Sequence, residues 1–175
     1  MMNSQNHQNS QNHQNSQNHQ NSQNSQNHQN SQNLFKMTLQ EIKQGFRLYM
    51  NGIVAASMRE KGLQYRVIWG VSIQHLQEMA AEVGEDYALA CQLWQEDIRE
   101  CKILATLVMP RQQMQEEQAR QWIDSLTTQE MAEWLAFNLL RHLPFAKQIA
   151  EYAIGSGGRL QEICGRNILR RIEQN

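Results

Sequence analysis

Two consecutive amphipathic helices meet near the middle of the chain, in the stretch Leu93-Trp94-Gln95-Glu96-Asp97-Ile98-Arg99-Glu100-Cys101-Lys102-Ile103-Leu104-Ala105. Its apolar residues recur every three or four positions, which is the spacing of one face of a helix. Pro110 ends the second helix, because proline lacks the backbone N–H that an inner helical turn requires. Glu96, Asp97 and Glu100 cluster where that helix starts, and we interpret them as a solvated cap that complements the helix dipole.

The same spacing continues from Thr38 onwards and predicts eight or nine short helices. Thr38 and Glu41 have the spacing of a capping box that opens the first helix, and the Asn51-Gly52 pair breaks it. The helix that follows the Asp86 cap is predicted to point four residues inward: Tyr87, Ala90, Cys91 and Trp94.

No segment alternates as a half-buried strand does, and residues 63–71 are predicted to form a loop. Short helices with brief connections favour antiparallel pairs stacked into an α-solenoid. A compact irregular bundle is the competing architecture. The predicted fold class is all-α in both cases.

The first part of the chain is a low-complexity repeat. Positions 3–32 are ten tripeptides, each Asn-Ser-Gln or Asn-His-Gln, without an apolar or charged residue. Such a segment has nothing to bury against its conformational entropy, so we predict a disordered tail over residues 1–36 and a domain over residues 37–175. The histidines of the tail could bind transition metals weakly, but we interpret the tail as a repeat expansion without chemistry, and Met37 as a possible functional start.

Composition excludes several classes of protein. The formal net charge of −1 gives no support to a dedicated basic nucleic-acid module. The three cysteines, Cys91, Cys101 and Cys164, form no C-x-x-C motif and suit buried thiols in a reducing compartment. No apolar run approaches the ~18 residues of a membrane span, and no secretory signal follows the start. We therefore expect a cytoplasmic protein without a membrane association.

Individual residues give few signs of catalysis. His75 and His142 lack a partner at metal-ligand spacing, so we predict no metal site. The glycine-rich residues 155–158 match no phosphate-loop spacing and are read as a turn. The four tryptophans could stack on bases, but their helical spacing is more typical of core residues.

Cations concentrate near the C-terminus. Arg166 and Arg170 are four residues apart and share a helix face, as expected of a stripe that contacts phosphates. Arg159, Arg171 and Lys147 extend this group. The alternative is a solvated last helix whose cations favour the negative end of its dipole.

The central stretch also resembles the AlkD-type DNA alkylation repair family. That family has a G-V-x-x-x-x-L helix start followed by an L-W-x-x-x-x-x-E-x-[KR]-x-L-A helix, and Gly70 to Leu76 and Leu93 to Ala105 match these patterns. Three further stretches resemble later segments of that family: residues 116–122, Asn138-Leu139 and Pro144-Phe145-Ala146. The resemblance covers about residues 45 to 155.

The resemblance implies a HEAT-like α-solenoid whose concave, cationic face holds duplex DNA. Members of that family with a complete active site release alkylated purines that carry a positive charge. Counting back from Asn138 places Glu133 at the family's catalytic acid and Gln129 at a tryptophan of the site. The family's paired arginines fall near Gln161 and Glu162, and the chain ends before the family's last repeats. The site is therefore altered, and base excision is left open.

These observations predict a monomeric, cofactor-free DNA alkylation repair-like protein that binds duplex DNA. The catalytic candidate is Glu133, and the candidate DNA-binding residues are Arg159, Arg166, Arg170 and Lys147. The alternative is a non-catalytic helical-repeat scaffold that binds a protein or peptide.

Overall fold

The computed structural model describes residues 36–174, which form nine α-helices and no strand beyond one isolated bridge between Val67 and Ile98. The all-α prediction is confirmed. The predicted tail lies outside the described residues except for Lys36. In chain order the helices are α1 Leu39–Leu48, α2 Gly52–Glu60, α3 Ile73–Val83, α4 Tyr87–Gln95, α5 Arg99–Val108, α6 Glu116–Asp124, α7 Gln129–Asn138, α8 Ala146–Gly155 and α9 Arg159–Ile172, with a 3₁₀ turn Leu140–His142 after α7.

Local capping explains where several helices begin. The Thr38 hydroxyl accepts the Glu41 backbone N–H, and the Glu41 carboxylate accepts the Thr38 backbone N–H at 2.7 Å, which completes the predicted capping box. These hydrogen bonds lower the pKa of Glu41. Four more helices start behind a side chain that accepts a backbone N–H of the first turn: Asn51, Ser72, Asp86 and Thr128.

The helices stack as pairs with a repeat of about 30 residues. The second helix of successive pairs begins at Arg99, Gln129 and Arg159, 30 residues apart. Helices α3, α5, α7 and α9 pack one on the next, and we call them the second-helix layer. On the other side α1 packs on α4 and α6 on α8. The predicted solenoid of antiparallel pairs is the observed architecture. Within the described range, no helix is long and apolar enough to cross a membrane.

The inward face of α4 differs from the prediction. Tyr87 is 38% exposed, whereas Leu89, Ala90, Leu93 and Trp94 are buried. The buried positions follow the same three-to-four spacing, but the face is turned by about one position towards Leu89. Periodicity therefore gave the helix correctly and its orientation only approximately.

The acidic cluster at the start of α5 is not a solvated cap. Glu100 is fully buried, and its carboxylate accepts the backbone N–H groups of Trp69 at 3.2 Å, Gly70 at 2.9 Å and Val71 at 3.3 Å. Its position is determined by the loop before α3, whose amides would otherwise be buried without acceptors. The interpretation from sequence was wrong because these partners lie about 30 residues earlier in the chain.

The other two acids of that cluster also bond to earlier segments. Asp97 accepts the backbone N–H of Arg66 at 3.1 Å, and Glu96 forms an ion pair with Lys43 of α1 at 2.8 Å. The three carboxylates together hold the start of α5 to the preceding pair.

Arg99 joins this arrangement to the next pair. It is 2% exposed, and its Nε and Nη2 atoms donate to the Glu130 carboxylate at 2.6–3.1 Å. Its Nη1 atom donates to the Val71 carbonyl and lies 3.4 Å from Glu100. Burial alone would lower the pKa of Arg99, but the Glu130 carboxylate more than compensates and raises it. A buried chain of charges thus crosses three successive helix pairs.

Aromatic stacking joins the first helices of successive pairs. Trp94 and Trp122 stack at 4.1 Å between ring centres, with planes 2° apart. The Lys102 ammonium donates to the Trp94 carbonyl at 2.6 Å and lies 4.7 Å from its ring centre, and burial lowers the pKa of Lys102. Of the residues that carry the family resemblance, Trp94 and Glu100 therefore join successive pairs, and Lys102 joins the two helices of one pair.

Candidate functional site

An open cleft lies between α7 and α9 in the second-helix layer. It has a volume of about 440 Å³, and we call it the aromatic cleft. Its lining residues come from four positions on α7 and one on α9: Glu130, Glu133, Trp134, Phe137 and Arg171. The cleft therefore combines two rings, two carboxylates and a guanidinium.

Phe137 is the centre of this group. Its ring is 37% exposed and meets Trp134 edge-on, with ring centres 6.0 Å apart. The guanidinium carbons of Arg141 and Arg171 lie 4.4 Å and 5.4 Å from its centre, within the range of cation–π contacts. Arg171 is fixed by hydrogen bonds to Asn167, at 2.6 Å to the side chain. An accessible ring thus lies within cation–π distance of two guanidiniums.

The two carboxylates of the cleft differ in their partners. Glu130 is bound by Arg99, so its charge is compensated. Glu133 is exposed and accepts a hydrogen bond from the Gln129 amide at 2.9 Å, and it forms no ion pair within residues 36–174. Glu133 is therefore the carboxylate that can act on a ligand of the cleft.

A second cleft adjoins the first at Phe137. It has a volume of about 390 Å³, and we call it the basic cleft. Its polar lining consists of Glu85, Thr106, Arg111, Asn138, Arg141 and His142. Phe137 thus lines both clefts, which lie side by side on the surface of α5, α7 and α9.

The residues predicted from sequence are spread over several surfaces. Glu133 lies in the aromatic cleft. Arg159, Arg166 and Arg170 are all exposed on α9, but Arg166 is paired with Glu162 at 2.7 Å. Lys147 is exposed on α8, outside the second-helix layer. The arginines predicted to form a stripe on α9 are therefore exposed, and their role in DNA binding stays a prediction.

Sequence reasoning missed the residues that surround Glu133. Trp134 was assigned to the core but is half-buried and lines the aromatic cleft, whereas Trp94 and Trp122 are buried as expected. The available signal was the spacing of Trp134, Phe137 and Arg141, at steps of three and four on one side of α7 and its extension. Such a stripe normally indicates a core face, and only the packing of α9 shows that this one stays open.

Gln161, one of the two positions near which the family's paired arginines fall, bonds to the protein's own backbone. Gln161 donates to the carbonyl of Ile123 at 3.2 Å. Two of the three cysteines offer no nucleophile either, because burial raises the pKa of both Cys101 and Cys164 to about 12. The third, Cys91, is half-buried on α4 and accepts a hydrogen bond from the Gln118 side chain at 3.2 Å.

Comparison with known proteins identifies the family. The model of the family described as DNA alkylation repair enzyme matches residues 20–153. The chain belongs to the DNA alkylation repair enzyme family. This confirms the resemblance read from the sequence, and the match extends further towards the N-terminus than the motifs indicated.

A solved structure shows the same fold as this family member. It is described as "A new family of proteins related to the HEAT-like repeat DNA glycosylases with affinity for branched DNA structures", and it matches with a TM-score of 0.73 at 18% sequence identity. The match covers 79% of the present chain and 59% of that protein, so the chain spans about three fifths of its length. The HEAT-like assignment is confirmed. No curated protein matches the sequence.

Proposed function

We propose that this DNA alkylation repair family member binds DNA across the second-helix layer, with bases against the aromatic cleft and phosphates against its arginines. The observation that carries the proposal is Phe137, an accessible ring that lies close to the guanidiniums of both Arg141 and Arg171. Nucleic acids present flat bases and anionic phosphates a few ångströms apart, and proteins bind them with this combination of stacking ring and cation.

Branched DNA suits this surface better than an uninterrupted duplex. Bases inside a duplex are stacked on each other, whereas bases at a junction have faces that a protein ring can reach at little unstacking cost. The solved structure with the same fold is described as a protein with affinity for branched DNA, which supports branched DNA as a ligand in this proposal. A cytoplasmic location belongs to the proposal, since the chain's thiols suit a reducing compartment.

The test is a binding titration of labelled duplex and four-way-junction DNA. We expect salt-dependent binding, tighter for the junction, that weakens about tenfold in Arg171→Ala because a charge and a ring contact are lost together. Arg47→Ala removes the same charge from an exposed position on α1 and serves as the control. No binding to either DNA, or equal affinities of the two variants, would contradict the proposal.

Base excision is expected to be at or near background. Glu133 is one methylene, about 1.5 Å, longer than an aspartate, and Gln129 holds it against its own helix. An error of about 1 Å in placing a catalytic group costs on the order of a hundredfold in rate. Gln129 also supplies no ring to stabilise a cationic sugar.

The Glu133→Gln variant separates the two roles of this carboxylate. In a non-catalytic site the substitution removes a negative charge beside bound phosphates, so we expect junction affinity to rise about threefold and release of N7-methylguanine to stay at background. The control is Glu151→Gln, an exposed position on α8. Base release by the wild type that disappears in Glu133→Gln would instead establish a glycosylase.

A second candidate function rests on a different surface. The turn between α1 and α2 exposes apolar side chains, with Leu48 83%, Met50 58% and Ile53 85% exposed. Such a patch is typical of a protein-binding site, which favours the scaffold alternative. Leu48→Ser with Ile53→Ser would abolish capture of a protein partner and leave DNA affinity unchanged, whereas a loss of DNA affinity would place the patch in the DNA interface.

A further inference from the structure

The basic cleft is built from three side chains that converge on one cavity. Arg111 enters from the loop after α5, and Arg141 and His142 enter from the 3₁₀ turn after α7. The carboxylate that faces them is Glu85, in the connection between α3 and α4. Two guanidiniums against one carboxylate leave a net charge of +1 while His142 is neutral. The cavity therefore suits a single monovalent anion.

The hydrogen bonds of His142 define its protonation state. Its Nε2 atom accepts from Arg141 Nε–H at 3.0 Å, and the ring also bonds to the Phe137 backbone. A nitrogen that accepts carries no proton, so the imidazole is neutral in this arrangement. Desolvation and the cations Arg111 and Arg141 lower the pKa of His142, which agrees with this state.

We infer that the basic cleft binds a phosphodiester of the DNA strand whose base lies against Phe137, and that His142 takes up a proton when it does so. The adjacency of the two clefts supports this assignment, because Phe137 lines both and a phosphate follows each base along the strand. The inference rests on the proposed DNA binding and adds a defined phosphate site to it.

Proton uptake follows from the geometry of the Arg141–His142 contact. Once Nε2 carries a proton it can no longer accept from Arg141, so the Arg141 Nε–H needs another acceptor. A phosphate oxygen supplies that acceptor and also accepts the new His142 N–H. Phosphate binding and protonation of His142 therefore favour each other. The Glu85 carboxylate favours the protonated imidazole as well and opposes the phosphate.

The first test measures junction affinity between pH 7.5 and pH 5.5. In the wild type we expect affinity to rise about fivefold as pH falls, since a bound anion raises the pKa of His142 and one unit corresponds to about a tenfold change. The His142→Gln variant keeps a hydrogen-bond donor and an acceptor but cannot take up a proton, so it should lose most of this increase in affinity at low pH. His75→Gln, which alters the histidine stacked on Tyr49, is the control and should keep it.

The second test follows the His142 ring by NMR titration with the dinucleotide d(TpT) and with inorganic phosphate. We expect d(TpT) to raise the pKa of His142 in the wild type and to have no effect in Arg111→Ala, whose junction affinity should be about tenfold lower. A response to inorganic phosphate but not to d(TpT) would overturn the assignment to a DNA strand.

The outcomes separate this site from the proposed function. If the wild type binds no DNA, the proposed function fails. If Arg171→Ala weakens binding while Arg111→Ala and His142→Gln behave as the wild type at every pH, only the phosphate site fails. Thermal unfolding of each variant identifies any that has lost its fold.

Discussion

Glu100 shows how one side chain can fix a loop that has no secondary structure of its own. Its two oxygens accept three consecutive backbone N–H groups, from Trp69 to Val71, in a fully buried position. A glutamine would keep one acceptor but would turn an NH₂ group towards those donors. Backbone amides left without an acceptor in the interior destabilise a fold more than a lost surface contact does.

We therefore expect Glu100→Gln to lower the free energy of unfolding by about 3 kcal/mol, as measured by urea denaturation. The matched control is Glu96→Gln, four residues earlier, which breaks a partly exposed ion pair with Lys43 and should cost less than about 1 kcal/mol. Equal effects of the two substitutions would show that the buried carboxylate has no special role.

At the scale of elements, α2 is held against the loop before α3 by a close backbone approach. Gly70 has a φ of +75°, and a Cβ at this position would overlap the carbonyl oxygen of Asn51, the residue that caps α2. The Asn51 backbone N–H in turn donates to the Trp69 carbonyl at 2.8 Å. A side chain at position 70 would therefore push the start of α2 away from this loop.

Gly70→Ala is expected to destabilise the fold by about 3 kcal/mol, the sum of a strained φ and the overlap with Asn51. Gly62 also has a positive φ, +88°, but a Cβ there would meet nothing within 4 Å. Gly62→Ala therefore measures the strain alone, about 1 kcal/mol. Thermal unfolding of both variants would reveal the difference, and similar losses would argue against the close approach.

The elements themselves could be predicted from sequence because their causes are local. A capping residue, an apolar spacing and a glycine or proline decide each helix within one or two turns, as at Thr38 and Pro110. The role of Glu100 could not be predicted, since it depends on partners about 30 residues away. The aromatic cleft was missed for the same reason: Trp134 belongs to an open surface only because of how α9 packs.

For the whole molecule, the Arg99 chain of charges adds buried ionic contacts to the apolar packing and the hydrogen bonds, such as Asn138 to Thr106 at 2.8 Å, that join the helix pairs. Repeat proteins tend to lose cooperativity when the contacts between neighbouring units weaken. Arg99 bonds to Glu130 of the following pair and to Val71 of the preceding one. It therefore helps the domain to unfold as one unit.

We expect Arg99→Ala to cost about 3–5 kcal/mol, because it leaves Glu100 and Glu130 without their cation. It should also separate the urea transitions seen by circular dichroism and by tryptophan fluorescence, which we expect to coincide in the wild type. Coincident transitions in the variant would mean that the other contacts between the helix pairs are enough to maintain cooperativity.

The regular 30-residue spacing of Arg99, Gln129 and Arg159 has a consequence for how the chain folds. Each contact between neighbouring pairs closes a loop of nearly the same, moderate length, so each step has a similar entropic cost. No contact has to wait for the two ends of the domain to meet, and a low contact order of this kind favours rapid folding. The two inner pairs, α4–α5 and α6–α7, have neighbours on both sides, and folding can spread in both directions from either of them.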